Sequence, residues 1–432
     1  MKNIFEKRLS LYEMLTAFSF CMDLIDEKIV GHHNKVAYIS LELGRKMNLS
    51  ETELKKLVIS ALIHDLGVFS IDQTFEDLSF DTRSNQHAEL GYQLLKNNFP
   101  VPDIAKIIRY HHHEWKEDNK KIPNLSHILH LADRISVLIN DDSLILSQRE
   151  GIENIIAQNQ KQRFLPEAVS EFMELSKRED FWLNIISEKR VERKIDEFFE
   201  PTAWLINYDQ LLDISILISH IIDFRSSFTT THSGGIAVLS SHLSSYFNFS
   251  KKDQKKIKIA GYLHDIGKLV VPPKILNKSE SLTKEEWSIM KTHTYYTYQA
   301  LSTSDQLNTI KEWASFHHEK LNGEGYPFRL DEKDLSLGSR IIAAIDVFTA
   351  ITENRPYREG MKYPEVKNVL NNMAENKELD KRLVDTIIDN FDEFNEIRKE
   401  VQIKTKKYFD TFRSETKKII NEDSDIKYHL FD

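Results

Sequence analysis

The stretch His317-His318-Glu319-Lys320-Leu321-Asn322-Gly323-Glu324-Gly325-Tyr326-Pro327 joins two adjacent imidazoles to a loop that carries two glycines. Packing alone gives little reason for that combination, because it sets paired histidines beside a backbone that can approach a ligand closely. Upstream lies a second cue, Leu263-His264-Asp265-Ile266-Gly267-Lys268, and downstream an apolar run from Ile341 to Ile345 ends on Asp346. With His232 and His293 the ordered set comprises five imidazoles and two carboxylates, and no cysteine.

Imidazole suits iron, manganese, zinc and related ions, while carboxylates suit harder cations or bridge two of them. A single tetrahedral ion does not need seven ligands. Two ions held roughly 3.5–4 Å apart can activate a water and clamp both oxygens of an in-line displacement at phosphorus. The reaction class this implies is phosphoester hydrolysis.

Taken in order, His232, His264-Asp265-Ile266-Gly267-Lys268, His293, the 317–327 stretch, Asp346 and Asn354-Arg355-Pro356-Tyr357-Arg358 resemble the HD-GYP domain. That domain is a branch of the HD metal-dependent phosphohydrolase superfamily that opens cyclic dinucleotides. The resemblance covers about residues 205 to 390, and it implies that His232, His264, Asp265, His293, His317, His318 and Asp346 hold two divalent ions, with Asp265 bridging. Fe or Mn is favoured, and Co, Ni and Zn also fit the ligand types. It further implies that Lys268 meets the scissile phosphate, that Arg355 and Arg358 hold substrate phosphates through planar guanidinium groups, and that Tyr326 shapes the substrate entrance. Three positions depart from the family pattern. Phe228 stands where some members place a third-metal Glu, and Asn322 and Thr349 each replace an Asp, which on this reading removes two carboxylates near the site.

His32 to Gly67 aligns without a gap to His232 to Gly267 at a constant offset of 200 residues. His32/His232, Ala37/Ala237, Asn48/Asn248, Ser50/Ser250 and the two His-Asp pairs coincide, so the chain contains an internal duplication. In the first copy the counterparts run His32, His64, Asp65, His87, His112, His113 and Asp133, a second candidate metal site. His33 adjoins His32, and His111 adjoins His112, so the ligand at each place rests on alignment alone; Glu114, matched to Glu319, selects His112 and His113. His127 and His130 read as structural or exposed. Val68 replaces the lysine, and neither a Gly-Tyr-Pro loop nor an Arg-Pro-Tyr-Arg run follows, so this copy reads as a plain HD domain.

Composition bounds the rest. The chain has 432 residues, 41% of them apolar, which is room for two cores, and a net charge of −9 gives no basic footprint for duplex nucleic acid. Its single Cys21 excludes an internal disulfide framework and fits a reducing compartment. No run approaches about eighteen uninterrupted apolar residues, which predicts a cytoplasmic protein that does not cross a membrane. With 13 glycines and 10 prolines, and apolar residues at three- and four-residue spacing, an all-α fold is expected. The expected order is an HD domain over 1–140, a helical connector over 141–205, the HD-GYP domain over 206–390 and a helical tail over 391–432. In that tail a dimerising helix, giving a homodimer, and an intramolecular packing helix fit the spacing equally.

The expected activity is hydrolysis of cyclic di-GMP or 3′,3′-cyclic GMP-AMP to a linear 5′-phosphorylated dinucleotide, with the first copy removing the terminal phosphate. The tandem order, with Asp223 to Thr229 leading into His232, is similar to bacterial phosphodiesterases acting on the mixed dinucleotide. The alternative is a cyclic-dinucleotide receptor or scaffold that signals without turnover.

Overall fold

The computed structural model describes residues 9–24, 31–70, 86–97, 99–116, 121–200, 204–225, 231–354 and 358–429. Among them the only strands are Leu9–Ser10 and Leu205–Ile206; the rest of the ordered secondary structure is helical. Contacts divide the chain into two compact units, one built mainly from Asp26–Trp204 and the other mainly from Leu205–Glu415.

The first unit begins with most of α1 (Leu11–Asp23), then α2 (His32–Lys46), α3 (Glu51–Ile63), α4 (Gln86–Leu95), α5 (Pro102–Arg109) and α6 (Asn124–Leu138). Asn48 takes a left-handed backbone (φ 55°) after α2, and Ser50 caps α3 in a capping box with Glu53. Short polar side chains tolerate both roles, which explains why these two residue types recur in the duplication. From Leu57 to Ile63, α3 is buried on all sides, so its C-terminal end delivers His64 and Asp65 into the interior. α3 and α6 both pack on α2, and α4 packs on α5.

The connector forms α7 (Ile145–Gln158), α8 (Pro166–Leu175), α9 (Glu179–Ile185) and α10 (Glu188–Phe199). Pro166 opens α8 in the first turn, where its missing N–H costs nothing. α8 and α10 pack on α2, and Phe164, Phe172, Phe181 and Trp182 are fully buried. These aromatics therefore belong to the core of the first unit.

The second unit repeats the plan with α11 (Tyr208–Arg225), α12 (His232–Tyr246), α13 (Lys251–Leu263), the short α14 (Pro273–Leu276), α15 (Lys284–Ala300), α16 (Asn308–Ser315) and α17 (Leu337–Thr352). Asn248 (φ 59°) and Ser250 stand where Asn48 and Ser50 stand in the first unit. α13 and α17 pack on α12, and α15 packs on the 3₁₀ turn Ile266–Val270 that carries Gly267 and Lys268. A Cβ at Gly267 would lie 1.9 Å from the His293 carbonyl oxygen, and one at Gly67 would lie 2.0 Å from that of His87. Only glycine allows this approach.

α18 (Tyr363–Glu375), α19 (Lys381–Asp389) and α20 (Phe391–His429) complete the chain. On α20, Tyr408 stacks on His220 at 4.2 Å, and Phe409 and Phe412 lie 4.6 and 4.8 Å from Phe224. That apolar stripe is used for packing on α11. No helix among the described residues is long and apolar enough to cross a membrane.

Candidate metal centres

In the second unit, residues separated by up to 114 positions converge. His264 and Asp265 leave the end of α13, His232 opens α12, His293 sits in mid α15, His317 and His318 follow α16, and Asp346 lies in α17. His264 Nε2 is 3.0 Å from Asp265 Oδ2, His232 Nε2 is 3.1 Å from Asp346 Oδ1, and His293 Nε2 is 3.5 Å from Asp265 Oδ1. His317 Nε2 and His318 Nδ1 complete the ring, at 4.0 Å from Asp265 and 3.9 Å from Asp346. All seven expected ligands therefore face one centre.

Their orientation has a common cause. His264, His293 and His317 each donate Nδ1–H to a carbonyl three residues earlier, of Gly261, Met290 and Ala314, at 2.7–2.8 Å. A carbonyl can only accept, so the lone pair of each Nε2 is turned inward. Burial, with His318 and Lys268 nearby, pushes His293 down to about 3, and burial with His318 and His264 pushes His317 well below the usual range. Burial opposes ionisation of Asp265, yet His264 and Lys268 hold its carboxyl well below the ordinary carboxylate range. A neutral His293 and His317 facing an ionised Asp265 are in the protonation state that metal ligands require. Asp265 Oδ1 is buried with no hydrogen-bond partner, an uncompensated acceptor that suits a cation. The residues present therefore fit a divalent metal.

Around this centre, Lys268 Nζ lies 2.6 Å from Asp265 Oδ2 at the cluster's edge. The Tyr326 ring is 5.0 Å from that of His318. The loop that carries it is held by buried Glu319, whose carboxylate accepts from the backbone N–H groups of Phe328 and Leu330 at 2.7 and 3.0 Å. Asn322 is exposed, accepts from Glu324 N–H and donates to the Asn376 carbonyl, so it sits in a hydrogen-bonded loop turn. Arg358 donates Nη2–H to the Ala350 carbonyl at 2.6 Å. Arg355 and Phe228 lie outside the described residues.

Sequence reasoning missed Glu353. This buried carboxylate receives His232 Nδ1 at 3.3 Å, where the other three histidines use backbone. Burial alone would lower His232, but Glu353 and Asp346 carry it up to about 10.

The first unit repeats the arrangement with one correction. His64 Nε2 is 3.1 Å from Asp65, His87 Nε2 is 3.5 Å from Asp65, and His32 Nε2 is 3.4 Å from Asp133. The adjacent pair is His111-His112, in place of the expected His112-His113. His111 donates Nδ1–H to the Ile108 carbonyl as His317 does to Ala314, and His112 Nδ1 is 4.0 Å from Asp133 as His318 is from Asp346. His113 instead packs edge-on against Tyr110 at 5.1 Å. The offset of 206 that links His87 to His293 also links His111 to His317, whereas Glu114, matched to Glu319, sits one residue out of that register. His33 joins the cluster too, with His64 and Asp65, where the second copy has Ser233. Buried Arg134 donates to Asp133 Oδ2 at 2.6 Å.

Two buried His/Asp clusters on repeated helical units define the class: HD-domain proteins. Two models described as "HD domain" match residues 29–138 and 217–383. The chain belongs to the HD-domain family and carries two such domains in tandem. It is 28% identical, over 92% of its length and 96% of the relative's, to 3′3′-cGAMP-specific phosphodiesterase 1 of Vibrio cholerae. A second such enzyme of that organism, phosphodiesterase 3, is 26% identical over 81% of this chain and 88% of its own. A cyclic di-GMP phosphodiesterase of Thermotoga maritima is 33% identical over 39% of this chain and 45% of its own. The crystal structure of the cyclic GMP-AMP phosphodiesterase V-cGAP3 of Vibrio cholerae shares the fold, with a TM-score of 0.61 over 89% of this chain and 98% of that one, at 20% identity.

Proposed function

We propose that the protein is a metal-dependent phosphodiesterase that opens a 3′,3′-cyclic dinucleotide at one 3′–5′ phosphodiester, leaving a linear dinucleotide with a 5′-phosphate. The observation that carries this reading is the convergence of five imidazoles and two carboxylates in the second unit with Lys268 at their edge. Mixed cyclic GMP-AMP is the proposed substrate. Relatives similar along nearly the whole tandem chain are named for it, whereas the Thermotoga cyclic di-GMP enzyme matches 39% of the chain.

His232, His264, Asp265, His293, His317, His318 and Asp346 would hold two divalent ions, iron or manganese, with Asp265 between them. Such ions supply an activated water and neutralise charge on the phosphate. Lys268, its Nζ anchored by Asp265, directs its remaining N–H donors to a phosphate oxygen, and the Tyr326 loop bounds the entrance beside His318. Arg358 and Arg355 would hold the second phosphate.

The first HD domain would hold metal through His32, His64, Asp65, His87, His111, His112 and Asp133, with His33 adjacent. It lacks both the lysine and the long loop, so a small terminal phosphate monoester suits it better than a cyclic diester. We assign it removal of the 5′-phosphate. The domain order proposed is HD domain, packed connector, HD-GYP domain and C-terminal helix.

Purified manganese-loaded protein, offered cyclic di-GMP and 3′,3′-cyclic GMP-AMP separately with products resolved by chromatography, tests all of this. Turnover of the mixed dinucleotide that disappears in His264→Ala/Asp265→Ala is expected. Metal retention without turnover of either substrate would sink the enzyme reading in favour of a receptor. Unchanged products in His64→Ala/Asp65→Ala would sink the dephosphorylation step.

A further inference from the structure

Three of the four Nε2 ligands in the second unit have their Nδ1 fixed by the carbonyl of their own turn. His232 differs: it is the first residue of α12, and its Nδ1 is met from another helix, by the Glu353 carboxylate at 3.3 Å. The first unit shows another arrangement: Ser136, three residues after Asp133, meets His32 Nδ1 at 3.2 Å. The matching position in the second unit, three residues after Asp346, is Thr349, whose buried Oγ1 has no hydrogen-bond partner. Glu353 lies four residues further on, at the end of the same helix and hence on the same face. Its Oε2 reaches His232 Nδ1, and a Cβ added at Gly235 would sit between the two positions, 3.6 Å from Thr349 and 3.9 Å from Glu353.

Glu353 is itself held. Gln402 of α20 donates Nε2–H to Glu353 Oε1 at 2.6 Å, and Arg398 donates to Gln402 Oε1 at 2.7 Å, which fixes the amide's orientation. The chain Arg398, Gln402, Glu353, His232 therefore runs from the C-terminal helix to the first residue of the cluster.

We propose that Glu353 is the positioning residue for His232, replacing the contact made from three residues after the last aspartate in the first copy, and that Gln402 and Arg398 make α20 part of the metal centre's support. This rests on the reading of the cluster as a metal site. A carboxylate at Nδ1 sets the lone pair on Nε2 and strengthens the imidazole as a ligand. In Glu353→Gln the amide oxygen remains with Gln402, so the NH₂ faces His232 Nδ1. That moves the ring proton to Nε2, the ligating atom.

The test is Mn²⁺ titration of the full-length protein, with free ion read by electron paramagnetic resonance and fold checked by circular dichroism and thermal unfolding. One class of sites is expected to weaken about 10–100-fold in Glu353→Gln, less in Gln402→Leu, with recovery when Thr349→Asp is added to Glu353→Gln. A folded Glu353→Gln that binds Mn²⁺ as tightly as wild type overturns the proposal. Should that variant fail to fold, unchanged affinity in Gln402→Leu overturns the role given to α20, and weakened affinity supports it. Wild-type protein that retains no Mn²⁺ overturns the metal reading itself, an outcome distinct from the other two.

Discussion

The Nε2 atoms of His293 and His317 stand 3.3 Å apart, each turned inward because its Nδ1–H is given to a backbone carbonyl. Two facing lone pairs inside a protein repel and lack solvent, and a shared cation relieves both penalties. Chelation should therefore lower the melting temperature, and added Mn²⁺ should restore it. At a free ion concentration about 100 times Kd the stabilisation is about 2.7 kcal/mol. An unchanged melting temperature on EDTA treatment, with metal loss verified by mass spectrometry, would contradict the cation reading.

Within the first unit, the inward pair is His111-His112, and His113 packs on Tyr110. Measured in a His264→Ala background, bound metal should fall in His111→Ala and His112→Ala and persist in His113→Ala. The reverse ranking would restore the register suggested by Glu114.

Lys268 touches Asp265 through Nζ and makes the charge that Val68 lacks in the first copy. Lys268→Gln should leave metal content intact while lowering kcat on the cyclic dinucleotide about 10²–10³-fold, the usual cost of one lost donor to a developing anion. A drop in metal content equal to the drop in rate would instead make Lys268 a structural partner of Asp265.

Gly67 and Gly267 each allow a 3₁₀ turn to lie against the helix that carries the next histidine. Alanine at either position must push backbone from backbone. Urea unfolding of Gly267→Ala should show at least about 1–3 kcal/mol of lost stability, with bound metal reduced because His293 moves. Wild-type stability in that variant would refute the close approach.

His220, stacked on Tyr408, is pushed by burial down to about 4. Unfolded, it titrates near its ordinary value of 6.5. The unfolded chain therefore binds the extra proton between those values. The His220 contribution is complete above pH 6.5 and declines as pH falls toward 4. His220→Phe should flatten the stability profile over that window; an unaltered slope in denaturant titrations would rule His220 out as its source.

Much of this was legible in the chain. Ligand types, their order, the duplication and the all-helical class could be read because each is carried by short-range pattern. Asn48/Asn248 and Ser50/Ser250 recur because the same left-handed turn and helix cap recur. Helix C-terminal His-Asp pairs put both side chains at one place by adjacency alone. Which core the connector aromatics Phe164, Phe172, Phe181 and Trp182 join could not be read in the same way, because burial has no address in sequence.

Residue types and their order established which groups are available to bind metal and that the chain offers them twice. Tertiary structure alone decided which imidazole nitrogen faces inward, that His111 and not His113 joins the first cluster, and that Glu353 and Gln402 stand behind His232. A histidine's direction is set by the group that takes its other ring proton. Where that group is a carbonyl three residues earlier the sequence carries the answer, and where it is a carboxylate 121 residues away only the fold can bring the two together.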